Sequence, residues 1–175
     1  MGHNLKIEGI YDQRTLKLLK NQGVRDFGFN FSPKSFNFIQ EHIFLDDLVP
    51  LLNQNDKIYL HFTRSNDPMI VKVLYDLTKT QIKRECVYLT CDEWIDKPYH
   101  LENNYFLNFF SEIDMSFCNS KYFSGIILDY NFLENLHSRG KLNNFLANFY
   151  TQFNSYLSSE KKVILKLGTY PMLVH

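Results

Sequence analysis

The stretch DFGFNFSPKSFNFI, residues 26–39, begins as a β-strand and breaks at Pro33. Phe27, Phe29 and Phe31 alternate with Gly28 and Asn30, the two-residue period of a strand with two distinct faces. Beyond Pro33, the polar residues Lys34, Ser35 and Asn37 are set among the aromatics Phe36 and Phe38. An aromatic-rich polar loop therefore sits at the carboxyl end of a strand, and its meaning depends on the fold around it.

Six further stretches read as strands: 5–10, 57–63, 86–91, 105–110, 124–130 and 162–167. Several are continuous apolar runs, as expected of parallel strands covered on both faces. Helix signals fall between them. Asp12 is a candidate N-cap for a helix carrying Leu16 and Leu19 that Gly23 closes. Asp67-Pro68 is an N-cap followed by proline at the first helical position, leading into Ile70, Val73, Leu74 and Leu77. Over 140–157, Leu142, Phe145, Leu146, Phe149, Tyr150, Phe153, Tyr156 and Leu157 form one apolar stripe. About seven alternations of strand and helix imply an α/β fold with a parallel sheet and right-handed crossovers. Periodicity leaves open whether that sheet is doubly wound or closed as a barrel. No glycine-rich dinucleotide fingerprint is present, since Gly9 and Gly28 stand alone.

The chain has 175 residues, long enough for a sizeable core, and reads as a single domain over 1–175 with no linker or low-complexity tract. Lys plus Arg and Asp plus Glu both total 19, so the zero net charge favours neither nucleic acid nor an anionic membrane surface. No apolar run reaches the ~20 residues of a membrane span, and no signal segment opens the chain. Cys86, Cys91 and Cys118 make no paired framework, which points to a reducing, cytoplasmic setting. The 16 phenylalanines and 11 tyrosines call for either a heavily aromatic core or an exposed aromatic surface.

The opening stretch resembles phosphoribosylanthranilate isomerase, a family of (β/α)8-barrel enzymes of tryptophan synthesis. That family reads roughly Lys-Ile-Cys-Gly on its first strand and Gly-Phe-x-Phe-x-Pro-x-Ser-x-Arg-x-Ile around its second. Here Lys6-Ile7-Glu8-Gly9 stands at the first place and Gly28 to Ile39 at the second. Val87-Tyr88-Leu89-Thr90-Cys91-Asp92-Glu93 resembles the family's fourth strand, and Ile127-Leu128-Asp129 its sixth. The resemblance implies a TIM-barrel-like (β/α) fold that is incomplete, with about seven parallel strands and no eighth β/α unit.

The departures bear on activity. Glu8 stands where the family has its catalytic cysteine base, although a carboxylate can also move a proton. Asn37 replaces the arginine that reads the anthranilate carboxylate, losing a charge-assisted pairing of roughly 1.5–3 kcal/mol. Tyr130 to Asn135 replaces a glycine loop whose backbone amides hold phosphate, and bulky side chains with a carboxylate suit that task poorly. Lys166-Leu167-Gly168 stands where a Gly-Gly pair is expected. The chain reaches His175 without an eighth strand, whereas a full barrel takes roughly 250 residues. Asp129 alone keeps its place, that of the family's general acid.

Three candidate catalytic residues follow: Glu8, Asp129 and Lys166, all expected near the carboxyl ends of their strands. They form either a reassigned acid/base site or a salt-bridged plug in the old pocket. Lys34, Ser35, Asn37, His61 and Arg64 are candidate ligand-binding residues. The plainer reading of His61 is a hydrogen-bonded core histidine, and that of Lys34 and Ser35 is inherited loop structure. Cys91-Asp92-Glu93 has no second cluster at metal-ligand spacing. Cys86 and Cys118 read as core thiols. No metal and no cofactor is expected.

The leading expectation is thus a degenerate relative, a pseudoenzyme that has lost isomerase activity and binds an unknown small molecule or protein. The alternative is an active acid/base enzyme, an isomerase or otherwise, using Glu8 and Asp129. Without an eighth strand, strands one and seven would each present an open edge. The tail Thr169 to His175 would cover the gap, the ring would pinch shut, or two chains would pair as a homodimer. Pro171 makes the tail a poor central strand.

Overall fold

The computed structural model of the protein describes residues 5–95, 102–109, 115–157 and 161–167. Seven strands form: β1 (Lys6–Ile7), β2 (Asp26–Asn30), β3 (Lys57–Arg64), β4 (Val87–Glu93), β5 (Asn104–Phe109), β6 (Phe123–Asp129) and β7 (Lys162–Lys166). They follow chain order in one sheet, and the ladders of β1 with β2, β2 with β3, β3 with β4 and β6 with β7 are all parallel. The chain divides into two compact units, Met1–Tyr105 and Phe106–His175.

In the first unit, α1 (Gln13–Asn21) starts where Asp12 accepts a hydrogen bond from the Thr15 amide, and Gly23 beyond its end takes φ +86°. The helix α2 (Pro68–Leu77) is capped by Asp67 and buries Ile70, Val73 and Leu77. Between β2 and β3 lies a π-helical turn, Ile43–Leu48, followed by a 3-10 turn, Val49–Leu51, in place of an α-helix. Among the described residues the expected regular alternation of strand and helix therefore holds only in part.

Register explains the core. Phe27, Ile58 and Val87 pair across β2, β3 and β4, as do Phe29, Leu60 and Leu89, and all six are buried. Phe31 stacks on Phe62 at 5.1 Å, and Phe44 of the π-helical turn closes on Phe29 and Phe31 at 4.8 and 5.3 Å. The odd-numbered phenylalanines of the opening stretch are thus the sheet's contribution to an aromatic core. The even-numbered Phe36 and Phe38 of the loop beyond Pro33 are exposed instead.

β1 is shorter than the 5–10 run suggests. Gly9 takes φ +75°, a left-handed conformation that turns the chain out of the strand after Ile7. Cys91 and Cys118 are buried, as core thiols should be, whereas Cys86 is only half-buried.

In the second unit, α3 (Tyr130–Ser138) and α4 (Leu142–Leu157) lie between β6 and β7. α3 corrects the placing of Tyr130 in a strand over 124–130, which ends at Asp129. The apolar stripe of α4 is narrower than its sequence suggests. Phe145, Phe149 and Phe153 pack on one another and around Phe109, whereas Leu146 and Tyr150 point to solvent. Each lies one residue past a phenylalanine of that cluster, about 100° around the helix. No helix of the described residues is long and apolar enough to cross a membrane. Gly168 and the tail expected to cover the last strand lie outside the described residues.

Candidate functional site

The even-numbered positions of β2 are Asp26, Gly28 and Asn30, and the same sheet face continues with Lys57, Tyr59 and His61 on β3 and with Tyr88 and Thr90 on β4. Gly28, Tyr59 and Tyr88 form one row in register, and Asn30, His61 and Thr90 form the next, toward the carboxyl ends of the strands. Tyr59 and Tyr88 stack at 4.9 Å. Burial above all, then the nearby Asp26 carboxylate, pushes the Tyr59 phenol far above its ordinary range, so it stays neutral.

Beyond Asn30 the loop folds back on the strand. The Phe31 amide donates to the His61 carbonyl at 2.8 Å, and the Ile39 amide returns to the Asn30 carbonyl at 2.8 Å. Three side chains then close a small network. Asn30 Nδ2 donates to Ser35 Oγ at 2.7 Å and to Asn37 Oδ1 at 3.2 Å, and Ser35 Oγ donates to Asn37 Oδ1 at 2.6 Å. Asn30 Oδ1 accepts from the Ser32 amide at 2.9 Å. The Asn37 amide rests directly on Gly9. Lys34 stays exposed in the turn, outside any ion pair among the described residues.

Glu8 follows β1 and ion-pairs with Lys6, two residues earlier on the same face; Glu8 is 38% exposed and Lys6 only 8%. The Lys6 ammonium also lies 4.3 Å from the centre of the Tyr59 ring. Gly28 makes room for this arrangement: a Cβ there would come within 3.0 Å of Glu8 Cα and Cγ.

His61 is held from both sides. Nδ1 lies 3.2 Å from Thr90 Oγ1, and Nε2 lies 3.3 Å from Asp92 Oδ1. Thr90 Oγ1 also reaches the Leu60 carbonyl at 3.5 Å. Arg64 spends its charge on Glu93 at 2.9 Å, and both are exposed, so the pair contributes little to stability. The structure thus gathers Glu8, Ser35, Asn37 and His61 at the ends of β1–β3, with Lys34 and Arg64 toward solvent.

In the second unit, Asp129 closes β6 and its Oδ1 accepts from the Phe132 amide at 3.2 Å, so this carboxylate is the N-cap of α3. Lys166 is its register partner on β7.

Sequence reasoning passed over Lys6, Asn30 and Thr90, and weighed Asp92 only as a metal ligand. Lys6 was within reach, since residues two apart on a strand share a face. Thr90 and Asp92 meet His61 only through the pairing of β3 with β4, which no local pattern encodes.

These parts define a TIM-barrel-like α/β fold with seven strands among the described residues. The chain is similar in structure to the crystal structure of phosphoribosyl anthranilate isomerase from Thermus thermophilus, with a TM-score of 0.59 and 16% sequence identity over 98% of this chain and 80% of that one. At that identity the likeness is one of fold. No protein-family model and no curated protein matches the sequence.

Proposed function

We propose that this protein keeps the phosphoribosylanthranilate isomerase scaffold without its reaction, and binds a small molecule or a protein instead. The observation that carries this reading is the Asn30–Ser35–Asn37 network. Where the resemblance calls for an arginine to read a carboxylate, a neutral amide is satisfied by its own loop. Glu8 supports the reading, because taking up a proton as a base would cost it the ion pair with Lys6. Lys34, Ser35, Asn37, His61 and Arg64 are the groups proposed to meet the ligand, with no cofactor. Three free cysteines support a cytoplasmic setting.

The test pairs a turnover assay on phosphoribosylanthranilate with calorimetric titration of a non-reacting analogue. The reading expects no turnover above the uncatalysed rate and no phosphate-dependent binding. Sub-millimolar, phosphate-dependent affinity would overturn it. The alternative, an acid/base enzyme on another substrate, draws on Asp129 and Lys166 being register partners at the ends of β6 and β7.

A further inference from the structure

We propose that Asn37 presents its side-chain Nδ2 as a fixed hydrogen-bond donor beside the Gly9 turn, and that the ligand taken there offers an uncharged carboxamide rather than a carboxylate. This inference deepens the proposed binding role and rests on it.

The orientation of Asn37 follows from a single backbone group. The Ser32 amide can only donate, so the Asn30 atom that meets it at 2.9 Å is Oδ1. Asn30 Nδ2 then faces the loop, and its two hydrogens go to Ser35 Oγ at 2.7 Å and to Asn37 Oδ1 at 3.2 Å. The Ser35 hydroxyl, having accepted there, donates to Asn37 Oδ1 at 2.6 Å. Reversing the Asn37 amide would set two NH2 groups against each other. Its oxygen therefore faces Asn30 and Ser35, and Nδ2 lies over Gly9, whose missing Cβ gives it room. Among the described residues Nδ2 has no acceptor, so a locked loop holds out two unused N–H bonds.

Charge selects what those bonds receive. A carboxylate would give up its hydration at this turn and find a neutral donor, with no guanidinium to offset the loss. Gly9 also directly follows Glu8, whose carboxylate is 38% exposed, and a second negative charge brought beside it opposes binding. Lys34 is exposed in the turn and keeps its own charge in water, where attraction is weak. A carboxamide gives up less hydration on entering, and its carbonyl accepts from Nδ2 without adding charge. An apolar ligand would leave both N–H bonds unmatched, which a site built around a donor penalises.

The experiment titrates the full chain, labelled with nitrogen-15, with benzamide and separately with benzoate, two probes of one shape that differ in charge. Benzamide should shift the Asn37 side-chain NH2 resonances and bind at least about fivefold more tightly than benzoate, the worth of about one hydrogen bond. Asn37→Asp keeps an oxygen for Asn30 and Ser35 but removes the donor, and should lose the benzamide affinity. Asn37→Arg should reverse the preference, with high salt weakening its hold on benzoate. Equal affinities, a preference for benzoate, binding of neither probe, or benzamide affinity undiminished in Asn37→Asp would overturn the inference. Turnover of phosphoribosylanthranilate, measured separately, would overturn both the proposed function and this inference. A failed benzamide preference without turnover would overturn this inference alone.

Discussion

Asn37 lies so close over Gly9 that a Cβ at position 9 would fall 1.6 Å from Asn37 Nδ2. Gly9→Ala therefore meets two penalties, a left-handed backbone and a displaced amide, together about 2–4 kcal/mol. Urea unfolding should show that loss. Adding Asn37→Ala should recover the steric part and leave about 1–2 kcal/mol from the backbone alone. Simple additivity of the two substitutions would mean the contact is not felt.

Asp129 as a helix cap makes a different forecast from Asp129 as a bare acid. Asp129→Ala should cost about 1 kcal/mol of stability, and Asp129→Ser, which still caps, should cost a small fraction of that. Denaturant midpoints of the two variants check it. Equal losses would deny the cap its role.

Glu8→Gln removes the carboxylate that pairs with the nearly buried Lys6 ammonium. The loss should be about 1–2 kcal/mol, less than for a fully buried pair because Glu8 itself is partly solvated. Lys6→Met in the same background should restore part of it, readable as a positive coupling in a double-mutant cycle.

The pH dependence of α1 follows from Asp12. Hydrogen bonds from the Thr15 amide and hydroxyl hold its carboxyl below the usual range. A carboxyl depressed in the folded state stabilises the protein fully above its unfolded pKa, and that share disappears as pH falls through the lower, folded value. Asp12→Asn still caps without titrating. The stability difference between wild type and this variant should hold steady at neutral pH and shrink below about pH 4. A difference that grew with acid would contradict the assignment.

Local chemistry made much of the fold legible. The alternation of Phe27, Phe29 and Phe31 announced a strand with one apolar face, and Asp12 and Asp67 marked their helices because capping is settled within four residues. α3 was hidden because it starts at once from the strand, so that the apolar run of Ile126 to Leu128 leads straight into Tyr130. The length of β1 depended on the φ of Gly9, and the width of the α4 stripe on where Phe109 stands beneath it. For the site, the loop residues Ser35 and Asn37 were visible, but their partner Asn30 read only as the polar side of a strand. The grip of Thr90 and Asp92 on His61 arises from strand register between residues about thirty positions apart, beyond the reach of any window along the chain.

Gly28 has a consequence for how the sheet opens. With no side chain at that point of β2, Glu8 packs directly over it, its partner Lys6 reaches the Tyr59 ring on β3, and the Ile10 amide bonds to the Gly28 carbonyl at 3.1 Å. β1 has only two ladder positions of its own with β2. Amide exchange at Ile7 and Ile10 should proceed by an opening that costs less than global unfolding, and Tyr59→Leu should make it faster.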